Sequence, residues 1–172
     1  MSYKKIEILS LIPARGNSKT IKNKNLVKIK KKTLTEIAIK ASLKSKFIDK
    51  TFLSTDNKKI SKFAIKYGIK LINRPKKFSS DNSTADEVVK HFITTLPTEV
   101  KKKNPIIIYL QPTSPLRRSH HIDESILKLK NNVNSNIISF KKINSSILKA
   151  FININRKVHP IFKNFINLNR QS

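Results

Sequence analysis

Between residues 8 and 130, short apolar runs alternate with stretches of helical periodicity, and this alternation restricts the fold more than any other feature of the chain. ILSLIP, residues 8 to 13, reads as a buried strand closed by proline. LTEIAIKASLKS places Leu34, Ile37, Ala38, Ala41 and Leu43 near helical spacing behind Thr33, with Glu36 positioned to complete a capping box. Thr51 to Ser54 form a second strand, and NKKISKFAIKYG gathers Ile60, Phe63, Ala64 and Tyr67 on one face before stopping at Gly68. IKLIN is a third strand, ending at Arg74 and Pro75. A helix from Thr84 turns Val88, Val89, Phe92 and Ile93 inward. Ile106 to Leu110 is the most apolar strand, HHIDESILKLK the next helix, and SNIISFKKI, residues 135 to 143, a fifth strand. Beyond Ser145 strands and short helical turns fit the pattern equally well.

Strands and helices in this order imply right-handed crossovers and a three-layer, Rossmann-like, mostly parallel α/β sheet. Ligands of such sheets bind beyond the carboxyl ends of the strands. Four polar loops would meet there: Arg15 to Asn25, Thr55 and Asp56, Arg74 to Thr84, and Gln111 to Arg117. A length of 172 residues with no repeat or linker suits one domain, residues 1–172.

Composition narrows the function classes. The chain lacks cysteine, which excludes a disulfide framework and thiolate metal sites. No apolar run approaches the ~20 residues of a membrane span, and MSYKKIEIL has no signal-peptide core, so a soluble cytoplasmic protein is expected. The formal charge of +27 suggests polyanion binding. The lysines, however, are spread along the whole length with many Asn and Ile and only two Gly, as a bias toward A and T codons would produce. Nucleic-acid modules concentrate cations on one face and interleave aromatics, a pattern this sequence lacks.

The loop after the first strand carries Arg15, Lys19, Lys22 and Lys24, and Gly16 would let backbone N–H groups approach a bound polyphosphate. The alternative is a solvated lysine-rich surface loop. A Walker A motif and a G-x-G-x-x-G fingerprint are both excluded, because no glycine follows Gly16 before Gly68. His91, His120, His121 and His159 show no metal-ligand spacing. Asp81, Asp86 and Glu87 read as an acidic helix start. Asp56 is the carboxylate best placed for a nucleotide or its metal, with a turn or cap role as the alternative.

IPARGNSKTIKNKNL, FLSTD, NRP followed by SSDNSTADEVV, and above all LQPTSPLR resemble the cytidylyltransferases that activate acidic sugars, in particular the acylneuraminate family. The resemblance runs in order from about residue 6 to Ser172. It implies a nucleotide-diphospho-sugar transferase fold, usually dimeric, that uses CTP and Mg²⁺ to place CMP on a sialic acid or related nonulosonic acid and releases pyrophosphate. By resemblance, Arg15 and Lys24 are the catalytic cations. Ala14, Gly16, Asn17, Ser18, Lys19, Asn25, Asp56, Arg74 and Thr84 join them around the nucleotide, and Gln111, Thr113, Ser114, Arg117 and Arg170 address the sugar. Read without the family, Arg74 and Thr84 are equally an exposed arginine after a strand and a helix N-cap, and Gln111 a loop amide.

The family commonly has Gly where this chain has Asn17 and Thr20, and a β-branched Thr adopts positive φ poorly. Relatives continue past the position of Ser172 through a segment carrying the aspartates credited with holding Mg²⁺, so the chain reads as a family member lacking its C-terminal portion. The competing expectations are a related 3-deoxy-octulosonate transferase, a basic nucleic-acid-binding module, and a non-catalytic nucleotide binder.

Overall fold

β1 (Ile8–Pro13) sits between two neighbours in a four-stranded sheet, and five of its six residues are buried. The computed structural model describes residues 6–18, 21–80, 83–130, 135–139, 151–154 and 157–160. They belong to two compact units, residues 1–135 and 136–172.

In the first unit β4 (Lys50–Thr55), β5 (Lys70–Asn73) and β6 (Ile106–Tyr109) join β1 in the order β5-β4-β1-β6, every pairing parallel. Residues of β1 alternate between two cores, as a period of two requires. Ile8 and Ile12 pack with Ala38, Ile39, Ile60, Ala64, Ile122 and Ile126, which belong to α1 (Leu34–Leu43), α2 (Lys58–Tyr67) and α5 (Ser119–Lys130). Leu9 and Leu11 pack with Phe52 and with Val88 and Phe92 of α3 (Ala85–Thr95), where the Phe52 and Phe92 rings meet edge to face at 4.9 Å. Val100 of the short α4 (Thr98–Lys102) joins that second core. Two helical layers therefore enclose a parallel sheet.

Side-chain chemistry fixes the helix ends where the sequence predicts. Thr33 and Glu36 form a reciprocal capping box on α1, and Thr84 and Glu87 form another on α3. α2 stops at Gly68 in the left-handed conformation, φ 62°. A buried chain of hydroxyls, Ser10 to Ser42 at 2.6 Å and Ser42 to Thr51 at 2.8 Å, ties α1 to β1 and β4 and satisfies polar atoms inside the core.

Several expectations need correction. Ile39, outside the expected apolar set, is fully buried, whereas Leu43 is 49% exposed at the last turn of α1. Ile93 is not inward but 38% exposed, since α3 is covered on one side only. A small antiparallel hairpin, β2 (Lys28–Ile29) with β3 (Lys32–Thr33), turns at Lys30 with φ 55° and precedes α1; two-residue strands leave no periodic signal. Residues 135–139, expected to begin a fifth strand, take no regular structure, and 140–143 lie outside the described residues. In the second unit β7 (Phe151–Ile154) and β8 (Lys157–Pro160) pair antiparallel, which decides between strand and helical turn for those segments. Among the described residues no helix is long and apolar enough to cross a membrane.

Candidate functional site

A cavity of about 280 Å³ opens at the carboxyl ends of β1, β5 and β6. The loop after β1 contributes Arg15, Ser18, Lys24 and Asn25. The segment from β5 to α3 contributes Arg74, Phe78, Ser80, Ser83 and Thr84, and the end of β6 contributes Tyr109, Gln111 and Thr113. Parallel strands point their carboxyl ends the same way, which is why loops so distant in sequence share one wall.

The first loop is held from several sides. Ala14 N–H donates to the Ser54 carbonyl at 2.9 Å, continuing the sheet, and the Asn25 amide donates to the Arg15 carbonyl at 2.8 Å. Gly16 N–H donates to Asp56 Oδ1 at 2.8 Å. The Arg15 guanidinium reaches the carbonyl of Ser80 across the loops at 2.5 Å. A 3-10 turn, Lys24–Leu26, keeps Lys24 half-buried at the cavity, and the buried Asn25 also accepts Thr35 Oγ1–H on its carbonyl at 2.8 Å.

Arg74 is the unusual group. It is 7% exposed, and its Nε and Nη2 are buried without hydrogen-bond partners among the described residues. Burial lowers its pKa from the ordinary arginine value, with the neighbouring Asp56 charge opposing that effect, but a guanidinium stays protonated throughout. A buried cation with two idle donors beside a cavity is suited to a ligand that brings acceptors. Ser18 Oγ is buried in the same cavity, without a hydrogen-bond partner among the described residues. Burial raises the Tyr109 pKa, the nearby Arg74 charge acting against it, so the phenol is neutral. Phe78 packs against His91, ring centroids 5.1 Å apart, and Lys77 Nζ lies 4.8 Å from the Phe78 centroid. Burial, then Arg74 and Lys77, depress the His91 pKa and keep that ring neutral behind the cavity wall.

The structure brings together Arg15, Ser18, Lys24, Asn25, Arg74, Thr84, Gln111 and Thr113 of the expected residues. Thr84 caps α3, its hydroxyl accepting from Glu87 N–H at 3.2 Å, and it also lines the cavity. Other expected residues lie outside that cavity. Ala14 is fully buried in the core, and Asn17 is exposed outside the cavity. Gly16 N–H donates to Asp56 Oδ1, and neither residue lines the cavity. Arg117 braces the proline loop by donating to the Gln111 carbonyl at 3.1 Å, while Ser114 accepts Arg117 N–H at 3.1 Å, so neither lines the cavity. Burial also lowers the Arg117 pKa. Lys19, Thr20, Asp81 and Arg170 lie outside the described residues. Sequence reasoning missed Phe78, Ser80, Ser83 and Tyr109. Their signals were a lone aromatic in a polar loop, and a phenol at the last position of an apolar strand.

A model of the cytidylyltransferase family matches residues 9–162. N-acylneuraminate cytidylyltransferase of Escherichia coli O18:K1:H7 is 33% identical over 120 residues, covering 70% of this chain and 27% of that protein. Pseudaminic acid cytidylyltransferase of Campylobacter jejuni is 30% identical over 153 residues, 88% of this chain and 66% of that one. The chain thus spans 27 to 32% of the length of the E. coli and Streptococcus agalactiae N-acylneuraminate relatives. Among solved structures, CMP:2-keto-3-deoxy-manno-octonic acid synthetase complexed with CTP is similar with a TM-score of 0.55 at 19% identity, covering 74% of this chain and 48% of that chain. A 4-diphosphocytidyl-2C-methyl-D-erythritol synthase gives 0.60 at 16% identity, covering 78% and 59%. These likenesses agree with a nucleotide-diphospho-sugar transferase type of fold.

Proposed function

The chain belongs to the cytidylyltransferase family, and from that premise we propose that its cavity binds CTP and that the protein transfers CMP to an acidic nonulosonic sugar, releasing pyrophosphate. The observation that carries this reading is the convergence of Arg15, Lys24 and Arg74, the last with two buried donor nitrogens lacking partners among the described residues, on one cavity at the sheet's carboxyl edge. A sugar hydroxyl attacks the α-phosphorus and the bond to pyrophosphate breaks, so negative charge grows on the leaving group. Fixed cations facing that charge supply the stabilisation that phosphoryl transfer depends on. Arg15 and Lys24 take this task, and Arg74 with Thr84 takes the nucleoside. Gln111 and Thr113, at the end of β6, take the acceptor sugar.

The names of the relatives, N-acylneuraminate and pseudaminic acid cytidylyltransferases, support a nonulosonic acid as acceptor. The reading extends to a cytoplasmic homodimer in which the nucleotide arrives with Mg²⁺. Among the described residues no three His, Cys, Asp or Glu side chains cluster to hold an ion, and Asp56 is engaged with Gly16, so no step here is assigned to a protein-held metal. Pyrophosphate release from CTP in the presence of N-acetylneuraminate or pseudaminate tests the reaction, with 3-deoxy-octulosonate as the competing acceptor. Turnover with either nonulosonic acid above that with the octulosonate is expected, and octulosonate alone as acceptor would overturn the assignment of the sugar.

A further inference from the structure

Gly16 invites the reading that its missing side chain makes room for a ligand, yet a Cβ placed there would meet protein instead. It would stand 2.7 Å from Asn57 Nδ2 and 2.9 Å from Asn57 Cβ, closer than side chains approach one another. Asn57 cannot readily withdraw, because its Oδ1 caps α2 by accepting from Lys59 N–H at 2.9 Å and Ile60 N–H at 3.2 Å. Its backbone N–H is fixed as well, donating to Thr55 Oγ1 at 3.1 Å. On the other side, Asp56 Oδ1 accepts Gly16 N–H. The junction between β4 and α2 therefore grips the residue next to Arg15.

We propose that Asp56 and Asn57 are positioning residues for the first loop: Asp56 anchors the Gly16 amide, Asn57 sets the close approach that demands glycine, and together they aim Arg15 at the cavity. Neither side chain touches the cavity, so both act through Gly16. This rests on the nucleotide reading of the cavity and adds to it the device that shapes its phosphate-binding loop. The β4–α2 junction is buried on both flanks, at Thr55 and Ile60, so it ties the residue next to Arg15 to the sheet.

The test compares two origins of the glycine requirement. Gly16→Ala should weaken CTP binding by about ten-fold or more, since small misplacement of a positioning group is costly. In Gly16→Ala/Asn57→Gly, where glycine keeps most of the capping function, CTP affinity should return to within about three-fold of the Asn57→Gly single variant, a coupling that a double-mutant cycle reads directly. A double variant as weak as Gly16→Ala alone would mean that the ligand, not Asn57, requires glycine, and would overturn the proposal. A second measurement needs no nucleotide and separates this inference from the function assigned to the cavity. Asp56→Ala should speed hydrogen exchange of the Gly16 amide by about ten-fold while leaving the β4 amides unchanged; unaltered exchange at Gly16 would sink the anchoring role even if CTP binds.

Discussion

At the scale of single residues, the site turns on Arg74. Burying a guanidinium with two donors idle is destabilising by itself, and function is the compensation a ligand-binding site supplies. Arg74→Met, apolar and similar in volume, should raise the melting temperature while weakening CTP binding by about ten- to a hundred-fold, as expected for loss of charged hydrogen bonds worth roughly 1.5–3 kcal/mol. Thermal denaturation read beside a CTP titration checks both directions; a variant that loses stability and keeps CTP would contradict the role. Arg15 makes a second prediction, because its planar fork spans to the Ser80 carbonyl. Arg15→Lys keeps the charge but not that geometry, so turnover should drop by about ten-fold or more with little change in melting temperature. Long cations at strand ends were legible from sequence, and Arg15, Lys24 and Arg74 reach the cavity as expected. Gly16 was legible as special but not for its reason, since the colliding partner Asn57 lies far along the chain and only the folded sheet brings it near.

At the scale of elements, the seam between α1 and α2 is held by Glu36. Its Oε1 accepts from Lys66 Nζ at 2.7 Å and from Tyr67 Oη at 2.9 Å, and its Oε2 accepts from Thr33 N–H at 3.0 Å. Burial alone would raise this carboxyl's pKa, but Lys66, the Thr33 amide, Tyr67 and the Thr33 hydroxyl outweigh it and hold the value at about 2 against an ordinary 4.5. A depressed folded pKa means stability present above the unfolded value and lost as pH falls through the folded one. Glu36→Gln should therefore cost about 1–2 kcal/mol at pH 7, and urea denaturation should show the gap closing as pH drops from 4.5 toward 2. At the other helix, Thr84→Ala should cost about 1 kcal/mol through the lost cap and should also weaken CTP binding, which Glu87→Gln, able to preserve the box, should not. Helices with boxes and a glycine stop were legible because side-chain signals mark their ends. The β2–β3 hairpin and the irregular residues 135–139 were not, because two-residue strands and isolated apolar pairs carry no period to read.

For the whole molecule, the parallel sheet explains how one basic loop among many becomes a site. The formal charge of +27 is distributed along the sequence, whereas among the described residues three cations, Arg15, Lys24 and Arg74, line the cavity. Dispersed charge attracts any polyanion weakly and loses that attraction to screening over a Debye length of about 8–10 Å at ordinary salt. Site-bound charge keeps its preference. The most direct measurement is the shift in melting temperature with CTP and with ATP at near-physiological salt, in the wild-type chain and in Arg74→Met. CTP in large excess over its Kd should stabilise the wild type by about 2–3 kcal/mol, ATP should do so much less, and CTP should stabilise Arg74→Met by about half as much or less. Equal shifts from CTP and ATP, or none from CTP, would contradict a cytidine nucleotide site at the carboxyl edge of this sheet.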